Sequence, residues 1–328
     1  MTISLHGIHA PVTTPFGASG DVDLAAFGRN VRAHLAAGLQ GIVVAGSTGE
    51  APLLDNDERA ALVAAARREV PRDRLLIAGV GAESARETVQ RARVAAERGA
   101  DAVLVAAPHY YSAAATPDAR TRQLRAHYRR VADDSPVPVV LYNIPKYMHF
   151  AIDPVLVAEL AAHGNVIGIK DSSGDEALLA SYLAAESATF AVLTGNGGGL
   201  ASALEVGARG GILAVALFAP SLVLEVRAAD TAGDFAHARR TQALLVPLAR
   251  EIVAGLGVPG VKAALDAIGL EGGDPRLPLL PAVATEHARV AELLGQAGLL
   301  PLGQARRAAT ATPSATAGGA ESAAAPAS

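Results

Sequence analysis

Short apolar runs rich in Val, Ile and Leu alternate along this chain with longer Ala-rich stretches in which charge recurs at helical spacing. The runs predict buried β-strands and the stretches predict amphipathic helices. Strands are expected at residues 7–13, 40–45, 75–80, 102–107, 138–142, 166–170, 191–194 and 211–215. Punctuation agrees with this division. Gly38, Gly99, Gly164 and Gly207 each follow a helical stretch and precede a strand, as suits a left-handed C′ residue. Pro71 and Pro136 end two other helices. Ser84 with Glu87 and Asp55 with Glu58 have capping-box spacing, and Asp153 precedes Pro154 as a cap residue precedes proline at a first helical position.

Strands and helices thus alternate at roughly 30 residues per unit, the signature of repeated βα units. Eight such strands close into a (β/α)8 TIM barrel. An open doubly wound sheet lacks support, because no GxGxxG follows the first strand. The expected organisation is a barrel over residues 1–220, a helical extension over 221–302 holding two or three helices, and a disordered tail over 303–328. The tail is almost wholly Ala, Gly, Ser, Thr and Pro, which cannot bury enough surface to order itself.

Composition sets limits on function. Hydrophobic residues make up 51% of the chain but aromatic ones only 4%, so aliphatic side chains must fill the core. A net charge of -4 offers no basic footprint for nucleic acid. The chain has no cysteine, which removes disulfides, thiolate metal sites and cysteine nucleophiles. Its nine histidines show no metal-ligand spacing, and His109 and His149 stand alone near the expected barrel mouth. With no signal-peptide pattern at the N-terminus and no uninterrupted apolar run of membrane length, the expected setting is cytoplasmic.

Barrel chemistry sits at the C-terminal ends of the strands. There the sequence places Gly46-Ser47-Thr48-Gly49-Glu50, Pro108-His109-Tyr110-Tyr111, Tyr142-Asn143, Lys170-Asp171-Ser172 and Gly195-Asn196-Gly197. Lys170 stands out because the chain holds only three lysines, Lys146, Lys170 and Lys262, and otherwise uses arginine for positive charge. An arginine stays protonated, so imine chemistry requires lysine. At the mouth of an apolar strand, desolvation favours the neutral, nucleophilic amine. Tyr142, one strand earlier, suits a general acid–base, and Ser47 and Thr48 between glycines suit a carboxylate. The glycines after Thr194 read as an open pocket floor rather than a phosphate cradle, since no basic residue accompanies them.

Taken in order, these motifs resemble the dihydrodipicolinate synthase and N-acetylneuraminate lyase superfamily of class I pyruvate aldolases. Gly46-Ser47-Thr48-Gly49-Glu50 is similar to its GxTGE element, Tyr142-Asn143-Ile144-Pro145 to YNxP, and Ile167-Gly168-Ile169-Lys170 to its lysine strand. The resemblance implies an imine between Lys170 and a 2-oxo acid such as pyruvate, with no metal or other cofactor. It further implies proton transfer by Tyr142, carboxylate binding by Ser47 and Thr48, and a relay through Tyr110 lent across a subunit interface. A homotetramer built from tight dimers is implied too. Gly49, Ser172, Gly195 and Ile212 complete the expected substrate-binding set, with Ser172 and Lys146 toward the variable half of the substrate.

The synthase branch carries an arginine two residues after the YNxP proline, and here that residue is Tyr147. Pro108-His109-Tyr110-Tyr111, the segment 170–175 and the segment 257–262 are instead similar to 4-hydroxy-2-oxoglutarate and 2-oxo-3-deoxy sugar-acid aldolases. The expected activity is therefore a pyruvate aldolase of that branch. The alternatives are condensation of pyruvate with aspartate semialdehyde, a non-catalytic 2-oxo acid binding protein, and a phosphate-binding barrel enzyme.

Overall fold

The computed structural model describes residues 3–300; the tail expected over 303–328 lies outside the described residues. Eight parallel strands form a closed barrel in sequence order: β1 (Gly7–Pro11), β2 (Gly41–Val44), β3 (Leu75–Gly79), β4 (Ala102–Ala106), β5 (Val139–Asn143), β6 (Val166–Asp171), β7 (Ala191–Thr194) and β8 (Gly210–Ile212). β8 pairs with β1 and closes the ring, so no strand edge remains. All eight expected strands are present, with ends that shift by a few residues. Aliphatic side chains fill the core, and the two largest buried aromatics, Tyr128 and Tyr182, satisfy their hydroxyls by donating to Val105 O and Ile152 O.

The helix signals held unevenly. Asp55 and Glu58 form the reciprocal capping box. At Ser84 only one half forms: its hydroxyl accepts from the Glu87 N–H at 3.1 Å, while the Glu87 carboxylate turns to Asn56 and Arg91. Gly38, Gly99 and Gly207 are left-handed as expected, but Gly164 is not. There the helix Pro154–Ala161 ends at Ala162, and a turn anchored on His163 leads into β6.

Two features of the fold position the site. Along β5 and β6 the register runs Val139 opposite Val166 and then Val140 opposite Gly168, so Ile167 is an extra residue in β6. That insertion puts Lys170 opposite Tyr142; without it Tyr142 would face Ile169, because strand side chains alternate with period two. The second feature is the C-terminal extension beyond β8. It comprises Pro220–Thr231, Phe235–Pro247, a π-helical stretch Leu248–Leu256, Gly257–Ala267 and Ala284–Gln296. The middle three run on as one helix, Phe235–Ala267, long and apolar enough by length and composition to cross a membrane. Pro247 and Gly257 lie within this run, and the wider π turns let the helix continue past them. Leu245, Leu248, Ile252, Val261 and Leu265 of this helix are buried in the protein's own core.

Three histidines are buried outside the site: His9 on β1, His34 in the helix Leu24–Ala36 and His127 in the helix Pro117–Asp134. Burial holds each pKa down at about 4, so the rings are neutral in the folded protein at pH 6.5. The unfolded chain takes up protons at these rings below pH 6.5, whereas the folded chain does not. Their contribution is therefore complete above pH 6.5 and is lost as pH falls toward 4. By pH 5 the loss is about 2 kcal/mol per histidine. Urea midpoints are expected to fall steadily from pH 7 to pH 5; a flat profile over that range would contradict the buried neutral rings.

Candidate active site

The C-terminal mouth of the barrel opens on a cavity of about 330 Å³. Ser47, Thr48, Tyr142, Lys146, Lys170, Ser172, Gly195 and Ile212 all line it, so residues scattered over most of the chain converge on one space. Lys170 and Tyr142 are neighbours across β6 and β5, 6% and 5% exposed, and Lys170 Nζ lies 4.2 Å from the centroid of the Tyr142 ring. The Tyr142 hydroxyl is 3.5 Å from Ser47 Oγ, which links the tyrosine to the expected carboxylate loop. Ser47 and Thr48 open a short helical turn, Ser47–Gly49, where first-turn N–H groups lack intrahelical acceptors and are available to an anion.

Asn143 and Asp171, the next pair in register, brace this arrangement from behind. Asn143 Nδ2 donates to Asp171 Oδ1 at 2.7 Å, and Asn143 Oδ1 accepts from the Ile152 N–H. Asp171 also accepts from the Ser173 hydroxyl and amide. Burial pushes the Asp171 carboxyl up, and these hydrogen bonds oppose that shift. Gly195 is required by space. A Cβ there would stand 1.9 Å from Ser172 Oγ and 2.9 Å from Lys170 Cε, closing the room in which the lysine works. The floor beyond it, Gly197 and Gly198, is held by Gln242, whose amide donates to both carbonyls at 3.0 Å.

Two expected site residues lie elsewhere within the single chain. Gly49 is behind the loop, where its carbonyl accepts from Thr14 Oγ1 and an added Cβ would meet Val12 O at 2.9 Å. Tyr110 is 74% exposed and stands outside the cavity, its ring edge-on to Tyr111 at 5.0 Å. Conversely, the sequence reading did not foresee the outer wall. Ala249, Val253, Ala254 and Val258, from the long C-terminal helix, cover the mouth with small apolar side chains. Lys146 Nζ donates to Ala254 O at 3.1 Å across this opening. Burial pushes the Tyr147 hydroxyl up, with Tyr142 adding to the effect. Among the described residues no cluster of His, Asp and Glu is placed to hold a metal ion.

A (β/α)8 barrel with a buried lysine and tyrosine paired at its C-terminal mouth defines an enzyme of the imine-forming kind. The chain belongs to the Dihydrodipicolinate synthetase family, whose sequence pattern matches residues 4–297. It is 36% identical over 300 residues to a 4-hydroxy-tetrahydrodipicolinate synthase of Stenotrophomonas maltophilia, covering 91% of this chain and 98% of that one. The crystal structure of the dihydrodipicolinate synthase DapA-2 of Bacillus anthracis matches with TM-score 0.85 at 30% identity, over 90% of this chain and 99% of that one. YagE, a prophage protein of the dihydrodipicolinic acid synthase family from Escherichia coli K12 solved with pyruvate, matches with TM-score 0.84 at 30% identity, over 90% and 100%. The chain is thus a Schiff-base-forming class I lyase. The sequence favoured the 4-hydroxy-2-oxoglutarate branch, whereas the synthases among these relatives carry the name of the alternative.

Proposed function

We propose that this enzyme forms or breaks a carbon–carbon bond between pyruvate and a short aldehyde through an imine on Lys170. The observation that carries this reading is the buried Lys170–Tyr142 pair in one cavity with Ser47 and Thr48. The neutral Lys170 amine adds to the ketone carbon of pyruvate, the carbonyl oxygen leaves as water, and a protonated imine remains. That imine draws electrons, so C3 gives up a proton and the enamine bonds the aldehyde carbon. The aldehyde oxygen takes a proton, and water then frees the product from the lysine. Cleavage of a 4-hydroxy-2-oxo acid is the same path reversed. Tyr142 moves the protons, Ser47 and Thr48 hold the carboxylate, and Ser172 faces the variable half of the substrate. Tyr110, exposed in one chain, would serve the relay only from a second copy, as a homotetramer of tight dimers supplies.

For the aldehyde, the names of the relatives favour aspartate semialdehyde. One feature of the site favours a second reading, cleavage of 4-hydroxy-2-oxoglutarate or a 2-oxo-3-deoxy sugar acid. Tyr147 replaces the arginine expected of a synthase, and among the described residues Lys146 and Lys170 are the cations lining the cavity. With Lys170 in the imine, a carboxylate on the aldehyde partner falls to Lys146. Parallel assays decide the matter: pyruvate consumption with aspartate semialdehyde against pyruvate release from 4-hydroxy-2-oxoglutarate. Faster turnover identifies the substrate. Turnover of neither, with imine trapping intact, turns attention to the longer sugar acids and to a binding protein.

A further inference from the structure

Lys262 is the second buried lysine, and the reaction proposed above makes no use of it. Its side chain is 1% exposed, and that of Glu50, which faces it, is 0% exposed. Lys262 Nζ lies 2.7 Å from Glu50 Oε1 and donates to the carbonyls of Thr14 at 2.9 Å and Asp274 at 2.8 Å. An ammonium carries three N–H bonds, and three acceptors surround this one. Burial pushes the Lys262 pKa down, and the Glu50 carboxylate works against that. The other Glu50 oxygen accepts from the Arg276 backbone N–H at 2.8 Å.

A buried ion pair adds little net stability, because desolvation offsets the attraction. Its value lies in what it fixes. Glu50 ends the Ser47–Gly49 turn in a left-handed conformation, φ 59°, and Ala45 before the turn is also left-handed at φ 51°. Two strained residues thus bracket Ser47 and Thr48, and such strain persists only where the surroundings enforce it. On the Glu50 side the enforcing group is Lys262, delivered by the helix Gly257–Ala267 that packs on this turn. Thr14 ties the same lysine to the loop a second time, since its hydroxyl donates to Gly49 O at 2.8 Å.

We infer that Lys262 is a positioning residue: through Glu50 and Thr14 it holds the Ser47–Thr48 turn in the shape that receives the carboxylate of a 2-oxo acid. This rests on the carboxylate role proposed above for that turn. The test is the pyruvate concentration that half-saturates borohydride trapping on Lys170, measured beside the melting temperature. Lys262→Met leaves Glu50 buried without a counter-charge; it is expected to melt earlier and to need on the order of tenfold more pyruvate. The double variant Glu50→Gln/Lys262→Met removes both charges. It is expected to regain most of the melting temperature while keeping the raised pyruvate requirement. If the pair were merely structural, folded variants would trap at the wild-type pyruvate concentration, and that result overturns the inference. Should neither Lys262 variant fold, Glu50→Gln alone decides in the same way, since it is isosteric and keeps an acceptor for the Arg276 amide. Wild-type protein that traps no pyruvate at any concentration defeats the proposed reaction and this inference together, a result distinct from equal trapping by wild type and variant.

Discussion

Lys170→Ala protein, incubated with pyruvate and borohydride, is expected to gain no reduced adduct, while wild-type protein is modified at Lys170 and inactivated. The loss of turnover is expected to be on the order of 10⁵-fold or more, because no other residue can replace the covalent step. The two remaining lysines cannot substitute. Lys262 is enclosed by Glu50 and two carbonyls, and Lys146 is at the outer edge of the mouth on Ala254 O. Mass spectrometry of the trapped protein and its peptides checks both claims. An adduct that persists in the variant would remove Lys170 from the imine role. The substitution should leave the fold intact, since among the described residues the Lys170 amine rests on the Tyr142 ring rather than on a hydrogen-bond partner.

Tyr142→Phe separates chemistry from packing. The ring that stands 4.2 Å from Lys170 Nζ is retained, and the hydroxyl that is lost has, among the described residues, Ser47 Oγ at 3.5 Å as its hydrogen-bond partner. The melting temperature should therefore barely change. If the hydroxyl carries protons to and from the substrate, kcat is expected to fall by about 10² to 10⁴, the usual contribution of a general acid–base group. Slow trapping of pyruvate should survive, because an amine can still add to a ketone. A phenylalanine variant with wild-type kcat would show that the ring only packs.

The barrel was legible because its signals are local. Apolar runs, helix caps and the glycines that follow helices lie within a few residues of what they specify, and Gly38, Gly99 and Gly207 did what such glycines do. The inner ring of Ser47, Thr48, Tyr142, Lys170 and Gly195 was legible for a related reason: strand ends share one face of a parallel barrel. What the sequence hid is non-local or depends on one residue of register. Ile167 reads as an ordinary strand residue, yet as an insertion it decides that Lys170 rather than Ile169 meets Tyr142. Glu50 and Lys262 carry no mutual signal across the intervening chain. The outer wall was missed because nothing near the strand ends points to it: a π-helical stretch far along the chain carries Ala249, Val253 and Ala254 to the cavity. Gly164 shows the opposite error, a familiar punctuation mark that the turn at His163 makes unnecessary.

The clamp on Glu50 also sets an order of events during synthesis. All eight strands have left the ribosome once Ile212 has. The turn that faces the substrate still lacks Lys262 and the Arg276 amide at that moment. If Lys262 positions that turn, a chain ending between these points would lack the group that shapes the carboxylate site.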